Sequence, residues 1–161
     1  MHKKLIKLRA ALLVFLTHHL ALPVLKLIRK PEKFSYTLAG LHQLPKGTLG
    51  YDMAKFLELR GLQLLPFYAR HDMKHILLEY EASEEGEGQL QFFMLGNGHV
   101  SFPVLATVFY CFATMPEYWP SFKKAFLRGR KSIAISKWNF IELVTQPTAD
   151  LKNRINLKPI P

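Results

Sequence analysis

Apolar positions recur along most of the chain at the three-to-four-residue spacing of helix faces, and only residues 133–135 read as a short strand-like run. Residues 3–30 are expected as one helix, or two joined at Pro23, which removes an amide donor. On a wheel, Lys3, Lys4, Lys7, His18, His19, Lys26, Arg29 and Lys30 share one half. Leu5, Leu8, Leu12, Leu16, Leu20 and Val24 lie outside it, and Arg9 is the misfit. Pro31 ends this element. Residues 34–43 are expected as a short helix closed by Leu44-Pro45-Lys46-Gly47, and Thr48 is a natural N-cap for Leu49–Leu59, which Gly61 terminates.

Further on, residues 62–66 connect to a helix over 67–80. Ser83 caps a helix through Glu87, Leu90, Phe93 and Met94, broken by Gly96-Asn97-Gly98. Residues 102–115 are almost wholly apolar and predict a buried helix. Pro116 and Pro120 bracket an aromatic corner at Tyr118-Trp119. Residues 121–130 predict an amphipathic basic helix and 138–145 another, and Pro147 opens the last, with Leu151 and Ile155 inward. The expected fold class is all-α, a single-domain helical bundle of roughly seven to eight helices.

A length of 161 residues accommodates one domain with a core. No apolar run is long enough for a spanning helix. Residues 10–16 after a basic start loosely resemble a signal peptide, but His18-His19 interrupt it and no small-residue cleavage site follows. The single cysteine, Cys111, excludes an intrachain disulfide and lies in an apolar run where a core thiol is expected.

Charge changes the picture more. The net charge is +10, yet residues 1–34 carry +7, residues 120–161 carry +7, and the middle carries −4. Six of the twelve acids fall between Asp72 and Glu87. Basic ends around an acidic centre suggest a chain that leans on an anionic surface and keeps a carboxylate-rich site. Residues 1–34 are accordingly expected as a basic amphipathic helix, either lying on anionic lipid or packing as a core helix with a solvated basic face.

The acidic centre contains Arg70-His71-Asp72-Met73-Lys74-His75. On a helix His71 and His75 are one turn apart on one face. Asp72, about 100° round, can bind a metal at the helix edge or orient a histidine ring. Glu87, beside the Gly86 turn, can fold back as a further ligand. Two imidazoles with carboxylates suit Zn²⁺ or a first-row relative, and without thiolates the set is not a Cys-type structural zinc site. The bland reading is a histidine pair with salt bridges to Glu79 or Glu81.

His71-Asp72-x-x-His75, followed after eleven residues by Glu87 with Gly86 before it, resembles the signature of the fourth Coq protein of ubiquinone (coenzyme Q) biosynthesis. Leu44-Pro45-Lys46-Gly47-Thr48-Leu49-Gly50 and the aromatic-containing helix after it (Phe56-Leu57) are similar to that family's upstream segment. Residues 138–157, with Pro147 and Leu151-Lys152-x-Arg154-Ile155, are similar to its closing helix. The chain departs from the pattern in the acidic stretch Glu79–Glu85, and in Asn97-Gly98-His99-Val100-Ser101 where the family has Gln-Thr-Gly-Leu-Pro.

The resemblance implies an all-α, membrane-peripheral protein in which His71, Asp72, His75 and Glu87 hold a divalent metal, Zn²⁺ in the usual assignment. Residues 35–161 would be the metal- and lipid-binding domain. The implied activity is C1 decarboxylation of a polyprenylated hydroxybenzoate, a lyase reaction, with a role in organising other quinone-biosynthesis enzymes. A non-catalytic lipid-binding or scaffold protein of the same fold is the alternative. Phe92, Phe93 and Phe109 are candidates to wall the prenyl tail, or plain core aromatics.

Expected partners are the prenylated quinone precursor, an anionic membrane surface, the other biosynthetic enzymes and a second copy of the chain. The expected location is cytoplasmic, at the inner face of the membrane. His71-Asp72 is also the core of an HD-type phosphohydrolase motif, for which His42 and Asp150 are the available further ligands. Nucleic acid is not expected, because no recognised module accompanies the basic ends.

Overall fold

The computed structural model describes residues 34–65 and 68–156, so the helix expected over residues 3–30 and position 67 lie outside the described residues. Among the described residues there are seven α-helices and no strand: α1 Leu38–His42, α2 Leu49–Leu59, α3 Ala69–Leu78, α4 Glu84–Gly96, α5 Phe102–Thr114, α6 Trp119–Lys131 and α7 Thr148–Asn156. A 3-10 turn, Pro116–Tyr118, joins α5 to α6 at the expected aromatic corner.

The termini form where the sequence supplies caps. Thr37 accepts from the Gly40 amide, Thr48 from the Tyr51 amide and Ser83 from the Gly86 amide, each satisfying an otherwise orphaned donor of the first turn. One apolar core runs through Leu41, Met53, Leu57, Met73, Leu77, Phe93, Phe140, Val144 and Leu151. A satellite cluster of Cys111, Met115 and Phe122 sits under α5, with Cys111 buried as expected.

The Leu-Pro-x-Gly-Thr-Leu-Gly stretch has a physical role. It turns through Gly47 (φ +83°) so that the Leu49 and Gly50 amides at the start of α2 donate to the Gln146 and Val144 carbonyls, at 2.9 and 2.8 Å. Thr148 Oγ1 donates to Asp52 at 2.6 Å, tying α7 to the same corner. α4 and α6 cross so closely that Gly96 faces the Phe126 carbonyl and Gly129 faces the Phe93 carbonyl, leaving no room for a Cβ at either.

Three expectations fail for identifiable reasons. Residues 138–145 are a run of tight turns, not a helix. Their amides bond three residues back (Glu142 to Asn139, Leu143 to Phe140), and the Val144 carbonyl is engaged by α2 instead of by its own helix. Residues 133–135 pair with no strand. The buried Asn97 side chain donates to the Gly129 and Ile133 carbonyls and accepts from the Ile135 amide, so one side chain does the work of a ladder.

Finally, α5 is helical but not buried. It packs on α4 and the 3-10 turn, burying Val104 and Cys111, while its opposite side faces solvent. No helix among the described residues is long and apolar enough to cross a membrane.

Candidate metal centre

The site lies where the end of α3 meets the start of α4. α3 brings His71 and His75 to one face one turn apart, and their rings meet edge to face with centroids 4.7 Å apart. Glu79 ends α3 in the left-handed conformation (φ 61°), and Arg128 of α6 donates to the Leu78 carbonyl at 2.6 Å, satisfying a helix-terminal acceptor. That reversal places the Tyr80 carbonyl 2.9 Å from His75 Nδ1. A carbonyl only accepts, so Nδ1 carries the hydrogen and Nε2 of the neutral ring presents its lone pair.

The chain then wraps tightly into the Ser83 cap. A Cβ on Gly86 would fall 1.9 Å from the Glu81 carbonyl oxygen, so only glycine permits this approach. The wrap sets Glu87 in the first turn of α4, facing back toward α3.

The result is a triangle of donor atoms. His75 Nε2 lies 3.1 Å from His71 Nε2 and 3.0 Å from Glu87 Oε1, and His71 Nε2 lies 3.2 Å from the same oxygen. Two ring nitrogens and a carboxylate oxygen at these spacings suit a small divalent ion, since bonds of about 2.0–2.1 Å in a tetrahedral site separate ligand atoms by about 3.3 Å. His75 is 2% exposed, whereas His71 and Glu87 are half-buried, so the centre is anchored inside and approachable from one side. Phe56 of α2 stacks on the His75 ring, and Tyr68 meets the His71 ring edge-on.

Electrostatics show the same convergence. Burial alone would raise the Glu87 carboxyl, but the hydrogen bonds and charges of His71 and His75 outweigh it and hold the group well below the usual carboxylate range. Burial alone would lower His75, but its hydrogen bond to Glu87, that charge, the Tyr80 carbonyl and Asp72 raise it. Tyr68 is raised by burial and then by the charges of Glu87 and Asp72, which marks its phenol as a neighbour of the centre.

Of the four residues expected as ligands, the structure brings His71, His75 and Glu87 together. Asp72 is outside that triangle but within reach of its field. Burial pushes its carboxyl up from an ordinary 3.8 to about 6, against the pull of both histidines. An acid raised in this way opposes folding as the pH climbs from about 4 through 6, and the gap corresponds to about 3 kcal/mol at neutral pH. In metal-stripped protein, Asp72→Asn is therefore expected to raise stability by up to about 3 kcal/mol at pH 7 and to change little near pH 4. Urea denaturation at the two pH values measures this, and equal effects at both would contradict it.

The acidic stretch between the histidines and Glu87 has other work. Glu79 pairs with Lys152 and Glu81 with Arg60, each at 2.7 Å, so neither serves the histidines. His42 pairs with Glu58, and neither His42 nor Asp150 joins the cluster that an HD-type site would need. Sequence reasoning did not single out Tyr68 or the Tyr80 carbonyl. Tyr68, three residues before His71, was findable by helical spacing, but a backbone acceptor carries no residue signal at all.

An α3–α4 corner with a His–His–Glu donor set in an all-α domain is the class of site that fold and geometry define. No protein-family model matches the chain, and no curated protein matches it. Among solved structures, the chain superposes on a Nostoc punctiforme protein provisionally named a ubiquinone biosynthesis protein. The TM-score is 0.62 at 15% identity, covering 94% of this chain and 81% of that one. At that identity the likeness is one of fold.

Proposed function

We propose that this chain is a metal-binding, membrane-peripheral protein of ubiquinone or related prenyl-quinone biosynthesis, acting on a polyprenylated hydroxybenzoate by C1 decarboxylation. The observation that carries the reading is the convergence of His71 Nε2, His75 Nε2 and Glu87 Oε1, with His75 Nδ1 already committed to the Tyr80 carbonyl. The fold likeness to the Nostoc protein supports it, as do the sequence segments around residues 44–50 and 71–87.

In this reading His71, His75 and Glu87 would hold the ion, and Asp72, outside their triangle, would stand in its field as the fourth acidic neighbour. The ion, Zn²⁺ by ligand type, would supply Lewis acidity toward a ring carboxylate or phenolate. The chain's own residues do the rest. The Tyr80 carbonyl fixes the His75 tautomer, Phe56 stacks on its ring, and Tyr68 meets the His71 ring edge-on.

For the prenyl tail, Phe92, Leu95, Phe112, Trp119, Phe122 and Phe126 line a groove of about 350 Å³ between α4, α5 and α6. Phe93 is instead fully buried core, and Phe109 is exposed on the outer side of α5. None of the three donors lines that groove.

The test is direct. Purified, metal-loaded protein is incubated with a short-chain prenylated hydroxybenzoate labelled in its carboxyl group, and released carbon dioxide is counted. Release that His71→Ala abolishes supports the enzyme. No release, together with retained binding of the prenylated acid by both proteins, would instead favour the lipid-binding or scaffold reading.

A further inference from the structure

α5 contains no charged residue, and its outer side is as apolar as its inner one. Phe102, Leu105, Ala106, Phe109, Phe112 and Ala113 recur at helical spacing on one face, all exposed, with Phe102 at 80% and Phe109 at 74%. A contiguous apolar row of this kind on a folded domain marks an interaction surface. Trp119, at the start of α6, extends it: its indole stacks on Phe112 at 4.7 Å and donates to the Phe112 carbonyl at 2.8 Å.

What adjoins the row identifies its partner. α6 carries five basic residues and no acid. Lys123 lines the aromatic groove beside Phe112 and Trp119. It also lines a second groove, of about 560 Å³, with Lys124, Arg128 and Lys131. An apolar, aromatic ridge is thus bordered by a cationic shelf, with a tryptophan at the seam. That is the order of chemistry met on entering an anionic bilayer, in which phosphates lie outside the acyl region. A protein partner would need a matching apolar strip beside an acidic one, and in a second copy Glu79 and Glu81 are already paired to Lys152 and Arg60.

We propose that the outer face of α5, with Trp119 and the lysines of α6, is the surface by which the domain docks on an anionic membrane. α5 lies along the interface there without crossing it. This rests on the membrane-peripheral reading above and assigns the contact to α5 and α6 rather than to residues 1–34 alone.

The experiment uses the full chain and large unilamellar vesicles of phosphatidylcholine with or without phosphatidylglycerol. Wild-type protein is expected to sediment with the anionic vesicles and to bind neutral ones about tenfold or more weakly. Phe102→Ser combined with Phe109→Ser is expected to weaken binding to anionic vesicles by about tenfold or more, since each removes exposed apolar area that lipid would cover. Both side chains are exposed, so circular dichroism and bound metal should match wild type. Lys124→Glu combined with Lys131→Glu should abolish the preference for anionic lipid.

Equal vesicle binding by wild type and the phenylalanine variant overturns the proposal, as does absence of wild-type binding. So does a wild-type dimer that the variant converts to monomer without loss of vesicle binding, which would assign the face to a second copy. His71→Ala should bind vesicles normally, so failure at the metal centre and failure at this surface are read separately.

Discussion

Gly86→Ala is expected to lower the stability of the protein by about 2–3 kcal/mol, a fall in Tm of about 5–10 °C, and to weaken metal binding at least tenfold. The added methyl would sit 1.9 Å from the Glu81 carbonyl oxygen, with the Glu81 carbonyl carbon and amide nitrogen also within 3 Å. Backbone cannot swing aside as a long side chain can, so the turn must open. The Ser83 cap on the Gly86 amide and the placement of Glu87 then go with it. Gly61→Ala is the comparison. Gly61 has φ +61° and nothing within 4 Å of its missing Cβ, so alanine there costs about 1 kcal/mol of backbone strain and leaves metal binding intact. Calorimetry and a metal-indicator titration on both variants check the pair. A Gly86→Ala protein that binds metal like wild type would refute the tight turn as the device that aims Glu87.

His75→Ala is expected to weaken metal binding more than the roughly 10–100-fold typical of losing an outer partner of a ligand. It should also cost the metal-free protein about 2–4 kcal/mol, because Tyr80 loses the donor to its carbonyl and Glu87 loses a buried partner. The loss should depend on pH in a definite way. His75 is raised in the folded protein, so its contribution is complete below its ordinary 6.5 and fades as the pH rises through the higher folded value. Glu87 is lowered, so its contribution is complete above its ordinary 4.5 and fades only in strong acid. The destabilisation by His75→Ala in metal-free protein is therefore largest between about pH 4.5 and 6.5 and smaller above. Denaturant titrations across that range measure it, and a loss that grows steadily toward pH 9 would contradict the pairing.

How much of this was legible beforehand divides by kind of information. Helix boundaries followed from local chemistry: Thr48 and Ser83 are caps in the sequence and caps in the structure. The donor triangle was legible too, since the i, i+4 spacing fixes two histidines on one face and the Gly86 turn brings Glu87 back.

Where tertiary contacts decide, the pattern misled. Residues 138–145 have helix-compatible spacing, but the Val144 and Gln146 carbonyls serve α2, and nothing in their own residues says so. α5 shows the converse: an apolar composition establishes a helix but cannot say what covers it, and half of this one is left to solvent. Asp72 lies between these cases. Its position beside His71 was readable, whereas its raised carboxyl comes from burial that only the packed structure supplies.

The most direct test of the central claim is the metal content of the wild-type protein. It is purified without chelator or affinity metal and passed through gel filtration before elemental analysis, with His75→Ala prepared in parallel. About one divalent ion per chain in the wild type, zinc by donor type, and less than a tenth of that in the variant is the predicted result. A folded wild-type protein that carries no ion and takes up none on titration with zinc, manganese or iron(II) would contradict the account.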